Sequence, residues 1–300
     1  MTASARPDPS ESSALRVVFT RGAGCYELAS ALAMGDPIRV VGDLRATCLE
    51  VGADLVVARK LSSFGLTNLA IPHQFDPAKP RRIVALVGSG PHSALAAEIA
   101  LTLSESMRIP TQLATAYFED TERDEAARSL ETLATDVGLE GTLVRVDDVG
   151  DLIKHAGDDS LLVLGAAGGS LLQRTFFGPG ARLRARAPSG AIVVRAAPDR
   201  VFRHLGEPVY VGARLKASDA ARLVGYPLVA VVEDGRLVGL LDRSSLVRAP
   251  DAIVEDLMGE PLSASREDLM SDLHGLFELF ERGPVPVTDQ EGRLVGSVIG

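Results

Sequence analysis

The chain has 300 residues, enough for two or three modest domains, and its 46% hydrophobic and 24% charged content is that of an ordinary globular protein. A net charge of -9, no Trp and only 4% aromatic residues argue against a nucleic-acid partner, whose phosphates would be repelled and whose bases would find few stacking platforms. Cys25 and Cys48 are too few for a disulfide framework and no apolar run is long enough to span a bilayer, so a cytoplasmic protein with two reduced, buried thiols is expected.

Residues 1–14 are rich in Ser, Pro and acidic side chains and lack a basic start followed by an apolar stretch. They read as a disordered tail, not a signal peptide. Leu15–Phe19, Ile38–Val41 and Ala53–Ala58 read as strands, with helices over Tyr26–Met34 and Leu44–Glu50 between them. Such alternation implies parallel βαβ units, so 15–72 forms an α/β half-unit. Pro72 to Pro80 contains three prolines and few apolar residues, which marks 73–80 as a linker.

A second α/β unit runs over 81–197. Ile83–Val87 is a continuous apolar run, as in a strand buried on both faces. Ser93 is the expected N-cap of a helix over Ala94–Met107. Strands at Gln112–Phe118 and Gly141–Val146, and helices at Asp124–Val137 and Val149–His155, lead to the strand Leu161–Leu164. A last helix ends over Arg182–Ala187, Pro188 stops it, and Ala191–Arg195 is the closing strand. This order predicts five parallel strands in a doubly wound sheet with helices on both faces. The acidic cluster Glu119–Glu125 sits at a helix start and is explained by capping and the macrodipole, not by metal binding.

The strand Leu161–Leu164 opens into spaced glycines: Gly165, Gly168 and, after nine intervening residues, Gly178. Glycines there let backbone N–H groups approach a phosphate chain, because no Cβ blocks the way. The bland alternative is that Gly165 and Gly168 only permit a tight strand-to-helix turn. The spacing is neither the dinucleotide fingerprint nor the P-loop. It resembles the nucleotide loop of the universal stress protein (UspA-like) family, over about 81–197. The resemblance implies nucleotide binding by Val87, Gly88, Ser89, Gly165, Gly168, Gly169, Ser170, Gly178, Pro179 and Gly180. Two positions depart from the family pattern. Pro179 replaces a phosphate-facing hydroxyl, and Gly88 replaces the aspartate expected near the ribose or its metal. Gln173, Arg174 and Arg182 lie nearby in sequence. The stretch Gly42-Asp43 to Gly52-Ala-Asp54-Leu-Val-Val resembles the second half of such a domain. Arg59 and Lys60 stand where its glycine loop would begin, which makes 15–72 a degenerate half-repeat.

Two C-terminal segments resemble each other, Tyr226–Leu241 and Pro284–Val298, sharing an acidic-Gly-Arg-Leu-Val-Gly core. Each reads as a hairpin. A helix over Arg266–Glu281 should carry Leu269, Leu273, Leu276, Phe277 and Phe280 on one face. With Val254-Glu-Asp-Leu-Met258, these segments resemble a CBS domain pair (Bateman module) over 207–248 and 253–300. That resemblance implies adenosine-nucleotide clefts between the repeats, near Pro227, Asp242, Ser245 and Pro286. Asp242-Arg-Ser-Ser245 replaces the Thr/Ser-x-x-Asp ribose motif in the first repeat, and the second ends at Gly300 before the motif.

No His, Cys or acidic residues are spaced as a metal site or a nucleophile-base pair. The expected fold is α/β, a doubly wound parallel sheet beside a smaller α+β CBS pair. The expected function is a regulatory sensor that binds ATP, ADP or AMP, requires no cofactor, and signals through a homodimer or an unknown protein partner. A scaffold that binds no nucleotide is the first alternative, and a weak ATP-hydrolysing enzyme the second. Both resembled families usually self-associate, and the Phe-rich helix is the expected dimer surface.

Overall fold

The computed structural model describes residues 15–33, 35–60, 64–147, 149–166, 187 and 189–300. The chain divides into two compact units, Met1–Ala197 and Pro198–Gly300.

The first unit is built on one sheet of nine strands. Its elements in chain order are β1 (Val17–Phe19), α1 (Cys25–Leu32), β2 (Ile38–Arg39), α2 (Leu44–Val51), β3 (Leu55–Val57) and β4 (Asn68–His73). There follow β5 (Arg82–Leu86), α3 (Pro91–Met107), β6 (Thr111–Tyr117), α4 (Arg123–Val137), β7 (Gly141–Arg145), α5 (Val149–Ala156), β8 (Ser160–Gly165) and β9 (Ala191–Arg195). The strand order is β2-β1-β3-β4-β9-β8-β5-β6-β7. Within 81–197 the five strands are mutually parallel, with the first strand, β5, in the middle. That is a doubly wound order. Every residue of β8 is buried, as a strand covered on both faces requires.

The five strands do not form a separate sheet. β4 pairs antiparallel with β9, Leu69 opposite Arg195 and His73 opposite Ala191, and this joins residues 15–73 to 81–195 edge to edge. The linker reading of Pro72 therefore fails, because Pro72 is a buried strand residue opposite Ile192. Its missing N–H removes no bond to β3, whose pairing with β4 ends at Ala70. Read outward from the joint, β4-β3-β1-β2 mirrors β9-β8-β5-β6. In both halves the founding strand, β1 or β5, lies third from the joint. In both, a positive-φ glycine, Gly24 or Gly90, precedes the helix that follows it. The two halves thus share a strand order about the joint and a glycine before the helix that follows the founding strand. One core holds α1 and α3 against the same face: Leu28 and Leu32 pack with Leu55, Ile83, Ile99, Leu103 and Ile192.

Three local expectations can be followed into the structure. Helix α3 begins at Pro91 with Gly90 as its N-cap, so Ser93 does not cap it. The acidic cluster forms a capping box in which the Glu122 carboxylate accepts the Glu119 N–H at 3.4 Å, and the same oxygen also accepts the Phe118 N–H at 3.0 Å; α4 follows. The final helix expected over Arg182–Ala187 lies outside the described residues, apart from Ala187.

The second unit contains two three-stranded sheets, β10-β11-β12 and β13-β14-β15. The first is made by β10 (Tyr210–Gly212), α6 (Ala217–Leu223), β11 (Leu228–Glu233), β12 (Arg236–Asp242) and α7 (Arg243–Arg248). The second is made by β13 (Ala264–Ser265), α8 (His274–Leu279), β14 (Val285–Thr288) and β15 (Leu294–Val298). Each sheet has one parallel and one antiparallel pairing, and each hairpin has an irregularity near its turn. Helix α8 is shorter than the Arg266–Glu281 helix expected. The chain enters it through a 3-10 turn at Met270–Leu273, and Phe280 lies fully buried in the core of its own repeat. The Phe-rich face is therefore mostly core, not free apolar surface. The exposed apolar side chains of this unit include Leu223, Val247, Leu279 and Ile299 instead.

The repeats exchange their leading segments. Val254 packs in the core of the first repeat, and its N–H donates to Leu215 O at 2.9 Å. Val201, which precedes the first repeat, packs in the core of the second, and its N–H donates to Asp268 O at 3.1 Å. The equivalence continues residue by residue. Gly259 and Leu240 exchange two backbone bonds, at 2.8 and 3.2 Å, and Gly206 and Ser297 do the same at the same distances. A Cβ on Gly239 would lie 2.7 Å from Gly259 O, and one on Gly296 would lie 2.9 Å from Gly206 O, so this double crossing needs glycine at both positions. The hairpin turns also meet: Leu237 N–H donates to Gly292 O and Leu294 N–H to Gly235 O, each at 3.0 Å. Val201-Phe-Arg-His-Leu-Gly206 thus opens the first repeat as Val254-Glu-Asp-Leu-Met-Gly259 opens the second, ahead of the Glu207 start read from sequence.

Candidate functional site

In a doubly wound sheet the crevice for a ligand lies outside the carboxyl ends of the strands, where the order reverses. Here that point falls between β5 and β8. The loop after β5 is held from three sides. Val87 N–H donates to Ala114 O at 2.9 Å, the buried Thr115 hydroxyl donates to Val87 O at 3.0 Å, and Gly88 N–H donates to the Ser93 hydroxyl oxygen at 2.9 Å. Ser93 therefore fixes the loop from inside, and the Gly88 N–H is occupied. Ser89 and Gly90 continue the loop beside a cavity of about 290 Å³ that Ser129, Thr132 and Asp136 of α4 also line.

Gly165 lies against the first turn of α3. A Cβ there would sit 2.9 Å from the His92 carbonyl carbon and oxygen, so the strand end and the helix start approach as only glycine allows. His92 spans the crevice: its Nδ1 accepts the Ala196 N–H at 3.0 Å. Burial, reinforced by the nearby Arg195 charge, holds the imidazole below its ordinary pKa. The structure brings Val87, Gly88, Ser89 and Gly165 to one rim, where Gly165 has a packing role and Gly88 a filled hydrogen bond. Gly168, Gly169, Ser170, Gly178, Pro179 and Gly180 lie outside the described residues, as do Gln173, Arg174 and Arg182. The sequence singled out neither His92 nor Thr115 for this rim. The only signal for them is position, one just after a strand end and one on the neighbouring strand.

In the second unit Asp242 is the N-cap of α7: its Oδ1 accepts the Ser244 N–H at 2.6 Å. That backbone bond, with a side-chain bond from Ser244, lowers the carboxyl pKa. Ser245 lies one residue on and meets Arg248 at 3.4 Å. The stretch Asp242-Arg-Ser-Ser245 thus works as a helix cap. Pro286 is buried in β14 opposite Ser297. The matching position in the first repeat is Ala230, opposite Leu240, so Pro227 and Pro286 are not equivalents. Pro227 is exposed just before β11, and its carbonyl accepts the Arg243 N–H at 2.9 Å. A surface cavity of about 650 Å³ lies beside α8, lined by His274, Phe277, Glu278, Glu281, Arg282 and Gly300. Glu281 and Arg282, two of its lining residues, both have positive φ without being glycine.

Among the described residues no group of three or more His, Cys, Asp or Glu side chains could hold a metal ion, and no helix is long and apolar enough to cross a membrane. Cys25 and Cys48 are free and buried. Burial pushes the Cys48 thiol up to about 12, with a smaller contribution from the Asp43 charge.

No family model matches the chain, and none of the curated proteins matches it. Solved structures do. The cytosolic domain of the Mg2+ channel MgtE in complex with ATP is 25% identical over 34% of this chain and 46% of its own, with a TM-score of 0.30. This chain thus covers less than half of that domain's length. A CBS domain pair/ACT domain protein from Thermotoga maritima is 21% identical over 33% of this chain and 88% of its own, with a TM-score of 0.30. The CBS-pair protein CBSX2 from Arabidopsis thaliana is 20% identical over 34% of this chain and 89% of its own, with a TM-score of 0.31. CBS domain pair proteins thus recur among the similar structures, which each cover about a third of this chain.

Proposed function

We propose that the protein is a cytoplasmic regulator whose C-terminal repeat pair binds an adenine nucleotide (ATP, ADP or AMP) and passes the signal on through dimer or partner contacts. The observation that carries this reading is the reciprocal exchange of leading segments between the repeats. Because Val201 completes the core of one repeat and Val254 that of the other, a ligand that shifts one hairpin must shift both. The ligand class comes from the resemblance of the repeats to CBS domains, with Pro227, Asp242, Ser245 and Pro286 as the cleft residues. The wound unit over 81–197 is read as universal stress protein-like, with a second phosphate site on the loop from Gly165 to Gly180 and the base near Val87 to Ser89. Residues 15–72 are read as its degenerate half-repeat.

Calorimetry of the whole chain with ATP, ADP and AMP tests the reading, with native mass spectrometry for stoichiometry. Saturable binding of at least one nucleotide is expected. A Gly168→Val variant should lose any contribution of the glycine loop, because the new side chain blocks backbone approach. Heat indistinguishable from dilution for all three nucleotides would remove the sensor reading. One observation favours a second reading, a scaffold that takes no nucleotide: Asp242 and the Gly88 N–H already have structural partners. Sedimentation equilibrium tests the homodimer, and a monomer mass at all concentrations would exclude it.

A further inference from the structure

The shortened half of the sheet carries four cations at its carboxyl rim. Arg39 closes β2, Arg21 lies two residues beyond the end of β1, and Arg59 and Lys60 follow the end of β3. The strand ends are held level, since Thr20 N–H donates to Val57 O at 3.0 Å and Val40 N–H to Phe19 O at 2.9 Å. Neighbouring strands lie about 4.8 Å apart, so the three ends span roughly 10 Å. All four side chains are exposed, and none has a hydrogen bond or ion pair among the described residues. Arg16, Arg82, Arg214 and Arg293 each hold a carboxylate.

Packing places the central cation. The aliphatic stem of Arg59 occupies the space that a Cβ on residue 22 would need, so Gly22 lets Arg59 lie across the β1–α1 loop. Its charge there reaches Cys25, the first residue of α1, and opposes the rise that burial imposes on that thiol. The positive end of the eight-residue helix α1 points to the same place. Glu27 is the acidic residue of that turn. Tyr26, 58% exposed, stands beside it with its ring 5.6 Å from that of Phe19.

We propose that this rim binds a multivalent phosphate anion, held by the side chains of Arg21, Arg39, Arg59 and Lys60. Where β8 runs into spaced glycines, β3 runs into Arg59-Lys60, so charge on side chains takes the place of backbone N–H groups. The site does not depend on the nucleotide reading of the repeats or of the glycine loop. Binding through exposed cations weakens as salt rises.

The test is calorimetry of the full chain with sodium tripolyphosphate at low ionic strength, with melting curves to confirm folding. Saturable binding is expected for the wild type. The double variant Arg21→Gln/Lys60→Gln should bind about tenfold more weakly or worse, as expected for the loss of two near charges. Those two side chains have no bonded partner, so the variant retains the fold. Arg59→Gln should weaken binding further, and Arg123→Gln, in the first turn of α4 at the opposite end of the sheet, should leave it unchanged. The proposal is overturned if the wild type shows no saturable heat, or if the double variant binds as tightly as wild type. Binding lost only in Gly168→Val would place the anion at the other rim and overturn it equally.

Discussion

Replacing Val201 by Ala tests the reciprocal exchange in the second unit. By the boundaries that the sequence suggests, residue 201 lies in a linker ahead of the first repeat. In the structure it is fully buried among Ala264, Leu273, Phe280, Val285 and Val298, all of the second repeat. The substitution removes two buried methyl groups, at about 0.8 kcal/mol each, and leaves a cavity that the surrounding strands close only in part. The expected loss is about 2–3 kcal/mol. Val254→Ala should cost the same within about 0.5 kcal/mol, because Val254 fills the equivalent place in the first repeat. For a unit of this size urea slopes are about 1–2 kcal/mol per M, so each midpoint should fall by roughly 1–3 M. Urea unfolding of a 198–300 fragment, followed by circular dichroism, gives the numbers. Linker residues usually change stability by less than about 0.5 kcal/mol. A Val201→Ala variant that unfolds within that margin of wild type would refute the exchange.

Further outcomes follow from single contacts. Gly165→Ala should destabilise the first unit by about 1–3 kcal/mol, because the new Cβ meets the His92 backbone, and a melting temperature equal to wild type would contradict that packing. His92 has a lowered pKa in the folded state, so the unfolded chain binds more protons, and the first unit should lose stability as pH falls from 6.5 toward that lowered value. His92→Gln should flatten the loss, which melting curves at pH 7.5 and 5.5 would detect. Asp242→Ala should cost about 1 kcal/mol, the usual effect of removing an N-cap. A thiol reagent at pH 8 should react far more slowly with Cys25 and Cys48 in the native chain than after denaturation, since both are buried and protonated.

Periodicity and turn chemistry carried most of the secondary structure. The runs of Val, Ile and Leu in β1, β3, β5, β8 and β9 are legible because strands buried on both faces need no polar alternation. β4 was not legible: Asn68-Leu-Ala-Ile-Pro-His73 contains a proline, and only the end of its pairing with β3 at Ala70 makes that harmless. The start of the first repeat was hidden for a different reason. Val201-Phe-Arg-His-Leu-Gly206 and Val254-Glu-Asp-Leu-Met-Gly259 share only Val and Gly, the residues that enter the opposite core and cross the opposite strand. At the candidate site the sequence singled out Gly88 and Gly165. It did not show that Ser93 occupies the Gly88 N–H or that Gly165 rests on His92, because both depend on where helix α3 starts.

The antiparallel joint between β4 and β9 sets the direction in which each half of the large sheet faces. Strands on one side of the joint run opposite to those on the other, so their carboxyl ends open at opposite ends of the sheet. The cationic rim beyond β1 and β3 and the glycine rim beyond β5 and β8 are thus separated by at least the length of the strands, roughly 17–20 Å. No single small molecule touches both. An event at one rim reaches the other only through the β4–β9 ladder and the shared core beneath α1 and α3, where Leu28, Leu55, Ile83 and Ile192 meet. The first unit is in this sense a two-ended lever, and the stiffness of the joint fixes how much of a displacement at one end arrives at the other.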